Sequence, residues 1–508
     1  RYPMDKFYRN SEWTYAPSPY VSENTFIDRE PENAPLPTYE EARDVLPRPT
    51  WEGHDDAIAC YNKAWELAFG NLRQPEPGSG FVSNFIDTAF NGCTFMWDSS
   101  FILMFGKYGS RVFNFQNTLN NFYSHQHKDG FISREIEEDD GSEKFTRFDP
   151  SATGPNVMPW CEWEYYLNIG DKKRIGEIFP VLLAYHRWLH DNHTWFDGTY
   201  WTSGLGCGMD NQPRMSPGYN VLFTHGHMVW TDACFQMILS GHILIEMAKI
   251  LGREEDAEFL VEEQKMLKSV VNDKLWDENT HYYYDMWRGG KLSGVKTIGA
   301  YWALLAGVVP KERADAFVAH LENPDEFNRH HRPPTLSADH PEYVATGGYW
   351  RGSIWAPTTY MVLRGLEKYG YHKLSYDIAC SNIENVVGVF NETGTLWENY
   401  APETTHQGAP AKPDFVGWSG LFPITILFEF VFGIKANVGE RKITWHVNRT
   451  ERHGIERYPF GVDGVLDLMC ETRGSIDEKP QISVKSNVPV SLEIIWDGGS
   501  ETLDVKPE

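Results

Sequence analysis

The sequence predicts a mainly α fold: an (α/α)6 barrel of helical hairpins with an extended N-terminal arm and a small C-terminal β appendage. Three observations predict it. Twelve segments between residues 55 and 433 carry apolar residues at helical spacing. Their connections alternate between a few residues and long stretches rich in Gly and aromatic residues. After residue 437 the pattern turns into short strand-like runs between turns.

In chain order, residues 1–50 are rich in Pro, Glu and Tyr and lack periodicity, so they read as an arm laid over a folded body. Helices are expected near 55–72, 97–109, 111–126, 156–169, 172–192 and 229–251, then near 254–276, 297–308, 310–321, 350–369, 371–389 and 419–433. Trp230, Ala233, Cys234, Met237 and Ile238 show the i, i+3, i+4 pattern, and Asp171 stands where the fifth helix needs an N-cap. The seventh helix bears a charged outer face that includes Glu254, Glu255, Glu262 and Lys265. Long connections occupy 73–96, 127–155, 193–228, 322–349 and 390–418; hairpins joined in this way gather their long loops at one end. Segments 443–447, 464–469, 481–484 and 492–496 read as strands. The expected domains are therefore the arm (1–50), the catalytic barrel (51–436) and the β domain (437–508).

Composition narrows the function. The 508 residues include 46 Lys+Arg and 71 Asp+Glu, a net charge of −25 that repels phosphate backbones and argues against nucleic acid as a partner. Apolar runs fall short of the ~20 residues that cross a bilayer, so no membrane partner is expected. The longest, 422–431, is interrupted by Pro423, Thr425 and Glu429. Seven Cys without a CxxC indicate neither a disulfide framework nor a zinc site and lean towards a cytoplasmic location. Aromatic residues reach 14%, including 19 Trp. Trp is enriched where flat apolar sugar faces are stacked, although aromatic cores use it more often.

Polar and aromatic residues cluster in the long loops. The clusters are Phe95-Met-Trp-Asp-Ser-Ser100, His125-Gln-His-Lys-Asp-Gly-Phe131 with Arg134, the Gly-rich 204–214, Gly347-Gly-Tyr-Trp-Arg-Gly-Ser-Ile-Trp355, and 396–420. Asp210 lies in a Gly-rich loop where backbone can approach a ligand closely, yet Asp before Asn is also a common turn former. Glu398, between Trp397 and Asn399-Tyr400, is either desolvated by aromatics or pinned by donors. Asp98 suits a helix N-cap or a ligand for sugar hydroxyls. Trp350-Arg351 could open a helix, but an Arg there opposes the macrodipole. Taken together, two carboxylates in separate loops among Trp and Gly match glycoside hydrolysis: one acid protonates the leaving oxygen, the other activates water or attacks.

The motifs Met96-Trp-Asp-Ser, Gln126-x-x-Asp-Gly130, Gly208-Met-Asp-Asn-x-Pro-Arg214, Tyr349-Trp-Arg-Gly-x-Ile-Trp355, Trp397-Glu-Asn-Tyr400 and Phe415-x-Gly-Trp-Ser-Gly420 occur in the order found in one group of enzymes. Over about residues 52–435 the chain resembles glycoside hydrolase family 63 and the mannosylglycerate-hydrolase-like group, relatives of the trehalases. The resemblance implies an (α/α)6 barrel and inverting hydrolysis of an α-linked gluco- or manno-type bond in a small glycoside or oligosaccharide. It implies Asp210 as general acid and Glu398 as general base, with carboxyls about 6.5–9.5 Å apart. It also implies Trp97, Asp98, Trp350, Arg351, Trp355 and Trp418 as walls of the subsite for the cleaved sugar. Phe95, Gln126, Asp129, Arg134, Tyr349, Gly352 and Gln407 complete the expected carbohydrate-binding set. The chain departs from the group in two places. Trehalases carry Gln-Trp-Asp where this chain has Tyr349-Trp350-Arg351-Gly352, which disfavours trehalase. Gly206-Cys207 stands where many relatives carry Glu-Ser.

A non-hydrolytic carbohydrate enzyme on the same barrel, a polysaccharide lyase or sugar epimerase, is the alternative; it would need a base such as His225 or His227. No metal or cofactor is expected. His125, His127 and Asp129 on one short loop are weak evidence for a metal, and 137–140 reads as a solvated acidic loop.

Overall fold

The computed structural model describes residues 16–508. Six outer helices each lead, through a long loop, into an inner helix. The outer helices are α1 (Asp55–Gly70), α3 (Phe115–Leu119 running into Asn120–Tyr123), α5 (Lys172–Asn192), α7 (Glu258–Lys274), α9 (Lys311–Ala319) and α11 (His372–Thr393). The inner ones are α2 (Met96–Gly106), α4 (Met158–Ile169), α6 (Thr231–Leu251), α8 (Ile298–Tyr301 continued by Trp302–Leu305), α10 (Ala356–Lys368) and α12 (Phe422–Val431). Each inner helix touches the next in the order α2, α4, α6, α8, α10, α12, and α12 closes on α2. This closed ring is an (α/α)6 barrel.

Burial follows the ring. Every residue of α12 is buried, and α2 is buried almost throughout, because inner helices are packed on both sides. The outer α7 keeps a solvated charged face, as its sequence implies. The Asp171 carboxylate accepts from the Arg174 N–H at 3.1 Å and caps α5. All six long loops precede inner helices, so the N-termini of the inner ring and the loops share one end of the barrel.

Several sequence expectations need correction. The helix expected over 350–369 begins at Ala356. Residues 347–352 instead form a bent segment with positive φ at Gly347, Gly348, Tyr349 and Gly352, and Pro357 favours a helix start just beyond it. Arg351 therefore opens no helix. The third helix is shorter than 111–126: it starts at Phe115, after a turn at 111–112, and ends at Tyr123. The longest apolar segment is α6, not 422–431: it alone among the described residues is long and apolar enough to cross a bilayer, yet it is packed against α4, α5, α7 and α8. Asp98 is not a cap, since α2 begins at Met96 and the cap position is Phe95.

Two four-stranded sheets follow the barrel. The first runs β1 (Arg48–Trp51), β4 (His453–Phe460), β5 (Gly464–Cys470), β6 (Ile482–Ser486), all antiparallel. The second runs β8 (Gly499–Val505), β7 (Val490–Trp496), β3 (Lys442–His446), β2 (Ile434–Asn437), with β7 and β3 parallel. The arm thus ends in a strand of the C-terminal sheet, and the second sheet starts at Ile434, before residue 437. The arm is tied down by polar contacts, such as Asn24 Nδ2 donating to the Tyr123 carbonyl at 3.0 Å; residues 1–15 lie outside the described chain. All seven Cys are free thiols.

Candidate active site

At the loop end of the barrel, a pocket is built from five of the six long loops and the start of α2. Each wall is positioned by a specific local contact. Phe95 pairs with Glu135 in a two-stranded ladder, and the Met96 N–H donates to the Arg134 carbonyl at 2.8 Å. That ladder sets Arg134 beside Trp97 and Asp98. Gly208, at φ +80°, lies flat against the Trp97 indole, and a Cβ there would overlap the ring. This close approach explains the glycine two residues before Asp210.

Asn211 joins the loop of Asp210 to the bent segment. Its Nδ2 donates to the Gly348 carbonyl at 3.0 Å, and its Oδ1 accepts from the Trp350 N–H at 2.9 Å. Ile354 and Tyr400 exchange backbone hydrogen bonds of 2.8 and 3.0 Å, locking the loop of Glu398 to the same segment. Trp350 and Trp355 stack with centroids 3.9 Å apart at 4°; Trp418 meets both edge-on at 5.6–6.4 Å, Trp97 meets Trp350 tilted at 6.0 Å, and Trp97 and Trp418 meet each other at 5.5 Å. The four indoles form a rigid apolar floor on which a sugar ring can stack.

Three carboxyl groups line this floor: Asp98, Asp210 and Glu398. Burial raises the Asp210 pKa, Arg134 lowers it, and Glu398 raises it again, leaving it at about 7. Burial and the neighbouring Asp210 charge push Asp98 well above the carboxylate range. Glu398 is raised by burial, with the Tyr349 hydrogen bond opposing. The Tyr349 hydroxyl donates to Glu398 Oε2 at 2.8 Å, and the Lys412 N–H donates to Oε1 at 3.3 Å. Tyr349 reaches that oxygen from a left-handed backbone (φ +67°), a strained conformation for an aromatic residue. Such a site holds proton-bearing carboxyls beside one oriented carboxylate, the equipment for acid–base work at a glycosidic oxygen and a water.

Of the residues expected from sequence, Asp210, Glu398, Phe95, Trp97, Asp98, Arg134, Tyr349, Trp350, Trp355 and Trp418 line the pocket. Gly352, at φ +144°, shapes the bend behind it. Four expectations are corrected. Gln126 is buried elsewhere: its Nε2 donates to the carbonyls of Gly130 (3.1 Å) and Val181 (2.9 Å), and its Oε1 accepts from Asn24. Asp129 accepts from Arg147 at 2.9 and 3.1 Å and from the Trp188 indole at 2.8 Å. Arg351 turns out to Glu342 (3.2 Å), its Nε donating to the Asn211 carbonyl. Gln407 pairs through backbone with Tyr400 outside the pocket. The alternative lyase base His225 packs on Trp195 and Trp201 and does not line the pocket; neither does His227. His125 is engaged on both ring nitrogens, by the carbonyls of Asn121 and Ser79.

Sequence reasoning missed Phe90, Pro155, Leu205 and Phe415 as lining residues. Only Phe415 stood in a motif; the others carry no chemical signal and are found by proximity alone. Cys207, at the departure from the Glu-Ser of relatives, is buried, with its thiol directed to the Gly204 carbonyl at 3.1 Å.

Comparison with known proteins gives a consistent picture. The family description "Mannosylglycerate hydrolase MGH1-like glycoside hydrolase domain" matches residues 93–419. An uncharacterized protein of Borreliella burgdorferi is 23% identical over 70% of this chain and 75% of its own. A mannosylglycerate hydrolase of Rubrobacter radiotolerans is 29% identical over 39% of this chain, and the match spans 44% of that protein. Among solved structures, a GH63 mannosylglycerate hydrolase from Thermus thermophilus in complex with glucose superposes with a TM-score of 0.60 at 20% identity, covering 72% of this chain and 99% of the other. That likeness shows the fold.

Proposed function

Because the chain belongs to the mannosylglycerate hydrolase MGH1-like glycoside hydrolase family, we propose that it removes a terminal α-linked glucose- or mannose-type sugar from a small glycoside or oligosaccharide, with inversion at the anomeric carbon. The observation that carries this reading is the pairing, in one Trp-walled pocket, of Asp210 with a pKa near 7 and Glu398 held by Tyr349 and the Lys412 N–H.

In the proposed reaction the substrate ring lies on the indole floor. Asp210 gives its proton to the glycosidic oxygen as the bond from that oxygen to the anomeric carbon breaks. A water attacks the anomeric carbon from the opposite face and passes a proton to Glu398. The products are the inverted sugar and the free alcohol, and proton exchange with solvent restores the acid and the base. Asp98, kept uncharged by burial beside Asp210, can donate a hydrogen bond to a sugar hydroxyl without adding negative charge.

The test is hydrolysis of a panel of α- and β-linked glucosides, mannosides, galactosides and rhamnosides, with proton NMR following the first anomer released. The expected result is cleavage of an α-gluco- or α-mannoside with release of the β-anomer, and loss of that activity in Asp210→Asn and Glu398→Gln. Release of the α-anomer would contradict inversion, and full activity in either variant would remove that residue from its role.

A further inference from the structure

The base Glu398 and the Phe90 wall belong to different loops, and one side chain joins them. Lys412 lies in the loop that leads into α12, as Glu398 does. The two residues are paired: the Glu398 N–H donates to the Lys412 carbonyl at 2.9 Å, and the Lys412 N–H donates to Glu398 Oε1 at 3.3 Å. Pro413 follows, and a residue before proline is biased to extended backbone. The Lys412 main chain is thus fixed on three counts, at little further entropic cost to its side chain.

That side chain crosses to Phe90, in the loop that leads into α2. Lys412 Nζ donates to the Phe90 carbonyl at 2.7 Å and stands 3.8 Å from the centroid of the Phe90 ring. Among the described residues this is the one hydrogen bond made by the Phe90 main chain. The turn around Phe90 is tied at its flanks, where Thr88 Oγ1 donates to the Cys93 carbonyl at 3.0 Å and the Glu138 N–H donates to the Gly92 carbonyl at 3.1 Å. Phe90 meets Phe95 edge-to-face at 5.8 Å, and both line the pocket.

The ammonium adds a second link to the base. Burial raises the Glu398 pKa; the Tyr349 hydroxyl, the Lys412 N–H and the Lys412 charge oppose it, in that order. The other charged or titratable groups lining the pocket are Asp98 and Asp210, both raised by burial, and Arg134, which is engaged by Glu135 at 3.3 Å and by the Ser151 carbonyl at 2.7 Å.

We infer that Lys412 is a positioning residue: by clasping Phe90 it holds the wall of the pocket to the segment that carries the base, so that enclosure of the substrate and orientation of Glu398 are set together. This role rests on the glycosidase reading above.

The test uses Lys412→Met, which keeps the main-chain N–H and the apolar stem but loses the charge and the donor, and Lys412→Arg, which restores both. Amide hydrogen exchange over residues 88–95 reads the clasp without any substrate. It is expected to speed by about three- to tenfold in Lys412→Met and to return towards the native rate in Lys412→Arg. On a substrate found by the panel above, Lys412→Met is expected to raise KM by about three- to tenfold with kcat within about twofold on the neutral plateau, and to move the acidic limb of kcat/KM to higher pH. Lys412→Arg is expected to recover most of both changes. Unchanged exchange over 88–95, or an Arg variant no better than Met, would overturn the clasp. A fall in kcat with KM and the acidic limb unmoved would mark a general structural defect and overturn the positioning role. Cleavage of no substrate by the native chain would remove the glycosidase reading and the role towards Glu398 with it, while the exchange rates would still decide whether Lys412 holds Phe90.

Discussion

The two ends of the inner ring treat their carboxyl groups in opposite ways, although the same helices build both. Asp98 lies in the first turn of α2 and Lys107 follows its end; Pro155 precedes α4, which carries Glu164; Trp355 precedes α10, which carries Arg364; Trp418 precedes α12, which carries Glu429. Nine to eleven residues separate each pair, a rise of roughly 15 Å. At the far end the charges neutralise one another. Lys107 lies 3.4 Å from Glu429 and 3.8 Å from Glu164, Arg364 lies 2.8 Å from Glu164, and the Tyr108 and Tyr360 hydroxyls each donate to Glu429 at 2.6 Å. Burial alone would raise the Glu164 pKa, but Arg364 and Lys107 hold it below the usual range. At the pocket end three carboxyls share one committed cation, and all three are raised. The barrel neutralises carboxylates where it needs rigidity and leaves them exposed to one another where a proton must move.

The largest expected effect separates the ends by activity. Asp210→Asn and Glu398→Gln should lower kcat by about 10²–10⁴-fold or more while the protein stays folded. Glu429→Gln, in contrast, should act through thermal stability, with kcat/KM little changed in the folded fraction. Comparable losses of kcat in all three folded variants would dissolve the distinction. Next in size, Lys107→Met leaves Glu164 and Glu429 short of a buried partner and should cost about 3–5 kcal/mol in urea unfolding. A cost below about 1 kcal/mol would mean the far-end cluster is not structural.

The pH dependence of stability should have opposite signs at the two ends. Glu164 is lowered in the fold, so its stabilisation is present above its unfolded pKa and is lost as pH falls through the folded value. Asp210 is raised from 3.8 to about 7, so the fold binds its proton more tightly than the unfolded chain does, and stability declines as pH climbs from about 4 to about 7. Asp210→Asn should therefore gain stability over the native chain across that window, reaching about 1–3 kcal/mol at pH 7 and above. A constant difference between pH 4 and 8 would contradict the raised carboxyl.

Much of this architecture was legible in the sequence because two signals were strong. Helical spacing revealed twelve helices, and the long loops announced the working end by their Gly and Trp content. The loop at 125–131 shows where that reading fails. It has the same texture as the true site, yet both polar atoms of the Gln126 side chain bond inward, and Asp129 is closed by Arg147 and Trp188. Composition cannot tell a satisfied polar knot from an open one, because the difference lies in partners as far away as Asn24 and Val181. Residues 350–355, expected as the start of the helix over 350–369, instead continue a bend in which Tyr349 adopts a positive φ that a non-glycine residue rarely takes. Strand β1 was missed because four residues with a Pro offer no alternation to read.

Two smaller effects follow from these misreadings. Gln126→Ala should destabilise by about 1–3 kcal/mol by leaving buried partners unpaired, with kcat/KM held within about twofold. A large loss of kcat/KM would return Gln126 to the substrate. Tyr349→Phe removes the donor to Glu398 and should move the acidic limb of the kcat/KM profile to higher pH, with up to about tenfold loss on that limb and a smaller change at neutral pH. An unmoved limb would mean the tyrosine does not tune the base.

The central claim is that Asp210 keeps its proton near neutrality because burial beside Glu398 outweighs Arg134. The most direct measurement is the infrared difference spectrum between the native protein and Asp210→Asn as a function of pH, following the protonated carboxyl band absent from the variant. The account predicts that this band persists at pH 6 and disappears with a midpoint near 7. A midpoint near 4 would show an ordinary solvated aspartate and contradict its assignment as the acid.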